Sequence, residues 1–263
     1  MDELHIRVGS DQYAKENESY GLTALKEGHV TFLKGKQAEG KIDAIFNFFG
    51  KSGKHWRVFI EDDQLASLIE SSGNIGGERA EQDLFRYEDP TDKDYDIKAD
   101  HINSYISETL GYGYTAKDFR TWAASWKIAY RLGLLSQATD SDYDRLLYLR
   151  EEVMKKLESD DEIPAIKWKA QSLKAIDNLA RLAERNKLPG ITKKVRQAVL
   201  LSIIDTVAAD LGNTRAVCKS SYIRPMFIND WESGLFEERW NKARLSKKIP
   251  GLNDDESTAF HCM

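Results

Sequence analysis

Residues 41–62 read KIDAIFNFFGKSGKHWRVFIED. Apolar and polar side chains alternate on both sides of Lys51-Ser52-Gly53-Lys54, the pattern of two strands joined by a tight turn. With HVTFLKG at 29–35 ahead of it, the segment from His29 to Asp62 predicts a small antiparallel sheet. Beyond Asp62 the apolar period lengthens from two residues to that of a helix. DDQLASLIESS (62–72), ADHINSYISETLG (99–111) with Asp100 as cap, and TAKDFRTWAASWKIAYRLG (115–133) with Thr115 as cap are each predicted helical. Strands first and helices after define an α+β chain: mainly α, with a small antiparallel β-sheet near the N-terminus.

The pattern continues with an acidic stretch at 140–162, a weakly packed helix or linker that Pro164 ends. Helices are predicted at about 166–187 and 192–211, the second closed by Gly212, and a last one from Pro225 to about Leu245. The expected organisation is a single domain over 1–263, with a sheet subregion at about 29–62, a helical subregion at about 63–245 and a polar tail at 246–263.

At 263 residues and 41% hydrophobic content, the chain can bury a substantial core. Its opening, MDELHIRVGS, is charged from the second residue and is not a secretory signal, and apolar runs such as AVLLSII (198–204) are too short to span a bilayer. Cys218 and Cys262 are too few for a disulfide framework, which fits a reducing cytoplasmic compartment. The net charge of −5 taken alone argues against a polyanionic partner. Its distribution argues otherwise: acids concentrate at 140–162, whereas nine lysines and arginines between Lys167 and Arg196 face only Asp177 and Glu184.

Several chemistries are excluded. GKS at 50–52 lacks the upstream glycine of a phosphate-binding Walker loop, since Ile45 stands there. The five histidines show no paired metal-ligand spacing, and no GxSxG serine-hydrolase motif occurs. On the helix from Thr115, Lys117, Arg120, Lys127 and Arg131 fall within about 80° of one another, opposite Phe119, Trp122, Ala123, Trp126 and Tyr130. A solvated cationic face is the ordinary reading of such a stripe. Arginine is nevertheless the side chain best matched to phosphate, so Arg120 is a candidate ligand. LGNTRAVCKSSYIRP (211–225) sets Tyr222 among lysine, arginine and two serines, which suits either a nucleophile beside a bound phosphate or an ordinary packed ring.

Four motifs in order, RVG followed by YAKENESYGLTAL (7–25), FGKSG (49–53), TAKDFRTW (115–122) and LGNTRAVCKSSYI (211–223), resemble the catalytic domain of type IB DNA topoisomerases in their short bacterial and poxvirus-like form. The resemblance covers nearly the whole chain and implies the topoisomerase IB/tyrosine-recombinase-like fold. It places the two phosphate-binding arginines on Arg7 and Arg120, the general-acid lysine on Lys51, the nucleophile on Tyr222 and a further phosphate ligand on Asn213, where many members have histidine. Asparagine keeps a neutral donor but gives up a cationic imidazolium. Lys117, the lysine of KxxR, is implied near the phosphate, Tyr13 matches a DNA-contacting position, and Lys219 is a DNA-binding candidate beside the nucleophile.

The implied reaction is relaxation of supercoiled double-stranded DNA through a 3′-phosphotyrosyl intermediate, without ATP, metal or other cofactor, by a monomer acting in the cytoplasm at the nucleoid. Family members usually carry an additional N-terminal clamp domain; Arg7 nearly opens this chain, so that clamp is expected to be absent or truncated, which would also account for part of the acidic balance. A tyrosine recombinase uses a similar residue set but usually has HxxR where this chain has Lys117-Asp118-Phe119-Arg120. A catalytically silent DNA-binding module is the alternative from another class, and retention of all five active-site candidates argues against it.

Overall fold

The computed structural model describes residues 4–33, 43–77, 79–136, 174, 177, 178, 181 and 193–263. The acidic stretch at 140–162 lies outside them, as does the expected helix at 166–187 apart from 174, 177, 178 and 181, which are helical. The chain divides into two compact units, 1–119 and 120–263, and is mainly helical with a small antiparallel sheet, as predicted.

Unit 1 is built on strands β1 (Val30–Phe32), β2 (Ala44–Gly50) and β3 (Lys54–Ile60), antiparallel in the order β1-β2-β3. The β2/β3 register pairs Phe48 with Trp56 and Gly50 with Lys54. Side chains alternate across a strand, so Phe46, Phe48, Trp56 and Lys54 share one face, and Asn47, Phe49, His55 and Arg57 the other. Phe46, Phe48 and Trp56 are buried with Ile6, Leu25, Ile69 and Leu84 in the unit's core. The turn is Lys51–Gly53 alone; Lys54, expected in it, already pairs with Gly50. Ser52 and Gly53 both adopt φ of 65°, the left-handed region that a three-residue hairpin demands.

Helix α1 (Asp11–Asn17) was not anticipated; it starts where Ser10 Oγ accepts from the Tyr13 amide at 3.3 Å. Helix α2 (Asp63–Gly73) is capped by Asp62, which accepts from Leu65 N at 2.9 Å. In α3 (Ala99–Leu110) the cap position belongs to Lys98, whose amide donates to His101 Nδ1 at 3.2 Å. Asp100, expected as the cap, stands inside the first turn, where its charge favours the helix dipole but caps nothing. Strands β4 (Arg86–Glu88) and β5 (Asp94–Asp96) form a ribbon too short and polar to announce itself in sequence. Lys98 fastens these parts together through Asp11 at 2.6 Å, Asp83 at 3.1 Å and Asp96 at 3.2 Å, while Lys26 also pairs with Asp83. Burial alone would raise the Asp83 pKa, but the two lysines hold it below the usual carboxylate range.

Helix α4 (Ala116–Ser136) begins after Thr115, whose amide and hydroxyl both donate to Asp118 Oδ2, at 2.8 and 2.9 Å. From Arg120 onward it belongs to unit 2, where Ala124, Ile128, Leu132 and Leu135 pack with Val199, Leu200, Ile203, Ile204 and Val207 of α5 (Lys193–Asp210). Gly212, at φ of 61°, ends α5 as the sequence indicated. Helix α6 (Arg215–Ser221) follows. The single helix expected from Pro225 to Leu245 is two, α7 (Pro225–Ser233) and α8 (Phe236–Arg244), broken by Gly234 at φ of 79°. The expected polar tail instead forms α9 (Asp254–Cys262), which buries Ala259 in the core and is closed by a reciprocal cap between Asn253 and Glu256. No helix among the described residues is long and apolar enough to cross a membrane.

Candidate active site

In unit 1 the anticipated residues converge. Gly9 has φ of 83°, and a Cβ there would lie 2.6 Å from Gly21 Cα, so only two glycines let the chain cross itself at this point. The crossing is hydrogen-bonded: Leu22 N donates to Arg7 O at 2.7 Å and Thr23 N to Val8 O at 2.9 Å. Tyr20 N donates to Phe49 O at 2.7 Å, which ties the same segment to the end of β2. The RVG and YGLTAL motifs are therefore two sides of one clasp that sets Arg7 beside the hairpin. Arg7, Tyr13 and Lys51 line one cavity of about 210 Å³, with Ser10, Tyr20, Gly50 and Trp56 also in its wall. Lys51 is exposed on the turn, and Tyr13 lies on α1.

Sequence reasoning passed over a second lysine here. Lys54 lies opposite Gly50 on the inward face of the hairpin, half-buried. Burial, and then the like charge of Arg7, lower its pKa below that of an ordinary lysine. Its signal was the pleat itself, since Lys54 has the same parity as the buried Trp56.

Unit 2 gathers the others. Arg120 is only 3% exposed, and its Nη2 donates to the Leu211 carbonyl at 2.8 Å. The guanidinium carbon stands 5.1 Å from the centre of the Tyr222 ring, a cation–π distance. Asn213 is buried just beyond Leu211, in the turn that leaves α5, and its backbone N–H donates to Ala208 O at 2.7 Å. Tyr222 caps the C-terminus of α6, half-buried, with its amide donating to Cys218 O at 3.1 Å. Buried Ser125 braces the neighbouring backbone: its hydroxyl donates to Tyr222 O and accepts from Arg224 N, both at 3.3 Å. Lys219 is exposed on α6, and Lys117 is exposed in the first turn of α4. The anticipated residues thus form two sets, Arg7, Lys51 and Tyr13 in unit 1 and Arg120, Asn213 and Tyr222 in unit 2.

Beyond the exposed Lys117, the cationic stripe of α4 is not a solvated face. Arg131 is 4% exposed; its Nη2 pairs with Asp210 at 2.6 Å, its Nη1 donates to Thr206 Oγ1 at 2.8 Å, and Lys127 reaches the same carboxylate at 3.3 Å. Helical spacing alone could not separate charges facing water from charges facing Asp210. Cys218, also in this core, has its thiol pushed up to about 12, first by burial and then by Asp210, which leaves it a packing residue.

Residues 1–247 match the family described as the eukaryotic DNA topoisomerase I catalytic core, and the chain belongs to that family. Among individual relatives, it is 34% identical over 123 residues to DNA topoisomerase 1B of Acanthamoeba polyphaga mimivirus. That match covers 47% of this chain and 34% of the viral protein, so the chain spans about a third of its relative's length.

Proposed function

We propose that the chain relaxes supercoiled double-stranded DNA by transesterification without ATP or metal. Tyr222 Oη gives up its proton to solvent and attacks the scissile phosphorus, the bond from phosphorus to the 5′ oxygen breaks, and Lys51 donates a proton to that oxygen. A 3′-phosphotyrosyl link and a free 5′-hydroxyl result, so the phosphoester energy is conserved and religation needs no nucleotide. Arg7, Arg120 and Asn213 bind the nonbridging oxygens as charge builds in the transition state, and Lys117 assists near the phosphate. Lys219 and Tyr13 contact the duplex, and phosphate contacts of this kind make binding strongly salt-dependent.

The observation that carries this reading is the buried Arg120 guanidinium held 5.1 Å from the Tyr222 ring and hydrogen-bonded to Leu211, in a chain whose residues 1–247 match a topoisomerase family. A phosphate engaged by the tyrosine would lie within reach of a cation already fixed in place. The test is relaxation of supercoiled plasmid in EDTA without ATP, alongside denaturing-gel detection of a covalent DNA adduct. The wild type is expected to relax both signs of supercoil, and Tyr222→Phe to bind DNA but form no adduct. A strict Mg²⁺ or ATP requirement, or an adduct from Tyr222→Phe, refutes the assignment.

A further inference from the structure

Two cations held close together in a partly desolvated place are unfavourable unless an anion joins them. Lys54 is in that position. The β2/β3 register puts it opposite Gly50 on the face that carries Phe48 and Trp56, three residues that line the cavity together with Arg7, while Lys51 stands exposed on the turn. The Lys54 side chain makes no hydrogen bond or carboxylate pair among the described residues, although Lys26, Lys98, Lys127 and Arg131 each have an acidic partner. Gly50, its cross-strand neighbour, has no room for a side chain, because a Cβ there would lie 2.6 Å from Trp56 Nε1. The backbone opposite Lys54 is thereby kept bare at the cavity wall.

We propose that Lys54 is a second anion-binding lysine of the hairpin, acting with Arg7 on a nonbridging oxygen of the bound phosphodiester. Lys51 at the turn is left for the proton. A lysine without a counter-ion next to an arginine costs the folded protein stability, and the lowered pKa of Lys54, caused by burial first and Arg7 second, reflects that cost. A phosphate oxygen would relieve it. The inference rests on the proposed strand-transfer function only for the identity of the phosphodiester.

The test compares Lys54→Gln and Lys54→Arg with the wild type, and exposed Lys15→Gln serves as control. On a duplex whose cleavage releases the leaving strand, Lys54→Gln should form the covalent adduct about 10–100-fold more slowly, the loss of one charge-assisted hydrogen bond. Lys54→Arg should recover most of the rate. The melting temperature of Lys54→Gln should stay level or rise, which a merely structural lysine would not allow. Separately, inorganic phosphate should raise the wild-type melting temperature by about 3–6 °C at ten times its dissociation constant, and this rise should be lost in Lys54→Gln. Adduct formation at the wild-type rate, or a melting temperature that falls along with the rate, overturns the role of Lys54. If the wild type forms no adduct, the strand-transfer reading fails by itself. The phosphate titration then decides the site: an equal rise in wild type and Lys54→Gln overturns it, and a lost rise supports it.

Discussion

Replacing Asp210 by asparagine removes the carboxylate that Arg131 and Lys127 share, with almost no change in shape. Arg131 would keep its hydrogen bond to Thr206 at 2.8 Å, but its charge would remain in a site where its side chain is only 5% exposed. Breaking a buried ion pair from one side costs about 3–5 kcal/mol. Asp210 is itself 20% exposed, so water offsets part of the loss and the lower end, about 3 kcal/mol, is expected. For a chain of this size each kcal/mol moves the midpoint by about 2–4 °C, so the melting temperature should fall by about 6–12 °C. Asp205 supplies the control: its pair with Arg215 joins side chains that are 32% and 49% exposed, and such pairs contribute about 0–1 kcal/mol. Thermal unfolding followed by circular dichroism, with both variants in one buffer, reads the difference directly. If Asp210→Asn melts no lower than Asp205→Asn, Arg131 and Lys127 are not held by burial and pairing with Asp210.

Lys51→Ala should cleave ordinary DNA slowly and be substantially rescued when the scissile 5′ oxygen is replaced by sulfur, because a thiolate leaves without a proton; equal rescue of Arg120→Ala, or none for Lys51→Ala, removes Lys51 from the acid role. Gly9→Ala combines φ of 83° with overlap onto Gly21 backbone and should lose more than about 2 kcal/mol, whereas Gly53→Ala, at φ of 65° but in open space, should lose only about 1 kcal/mol; similar denaturation midpoints for the two would refute the clasp. Asp83 has a lowered folded-state pKa, so its contribution is present above the unfolded value of about 3.9 and disappears as pH falls through the folded one. Asp83→Asn should therefore be less stable than the wild type at pH 7 and converge with it as acid protonates the folded carboxylate, and a gap that persists in strong acid would show that the lysine pairs are not its source.

The sheet was legible because the alternation around Lys51-Ser52-Gly53 leaves one way to bury Phe46, Phe48 and Trp56. The candidate site residues have another source, the resemblance of short motifs whose spacing no propensity explains. Physical reasoning from sequence failed where partners are distant. Nothing near Arg131 in the chain points to Asp210, and the solvated face it suggested is a buried ion pair. Gly234 breaks a helix that apolar periodicity would carry through, and the tail from 246 reads as polar because the residues its helix buries, Ser257 and Ala259, are small. Asp100 misled because a good capping residue stood two positions too late, after Lys98.

Arg120 donates a hydrogen bond to a peptide carbonyl, that of Leu211, rather than to a side chain. A scan that changes one side chain at a time leaves that acceptor intact at every position. That attachment would thus be silent in a substitution map, where Leu211 variants would register only lost packing. Replacing the amide that follows Leu211 with an ester by chemical ligation would expose it, because an ester carbonyl is a weaker acceptor while every side chain stays as it was.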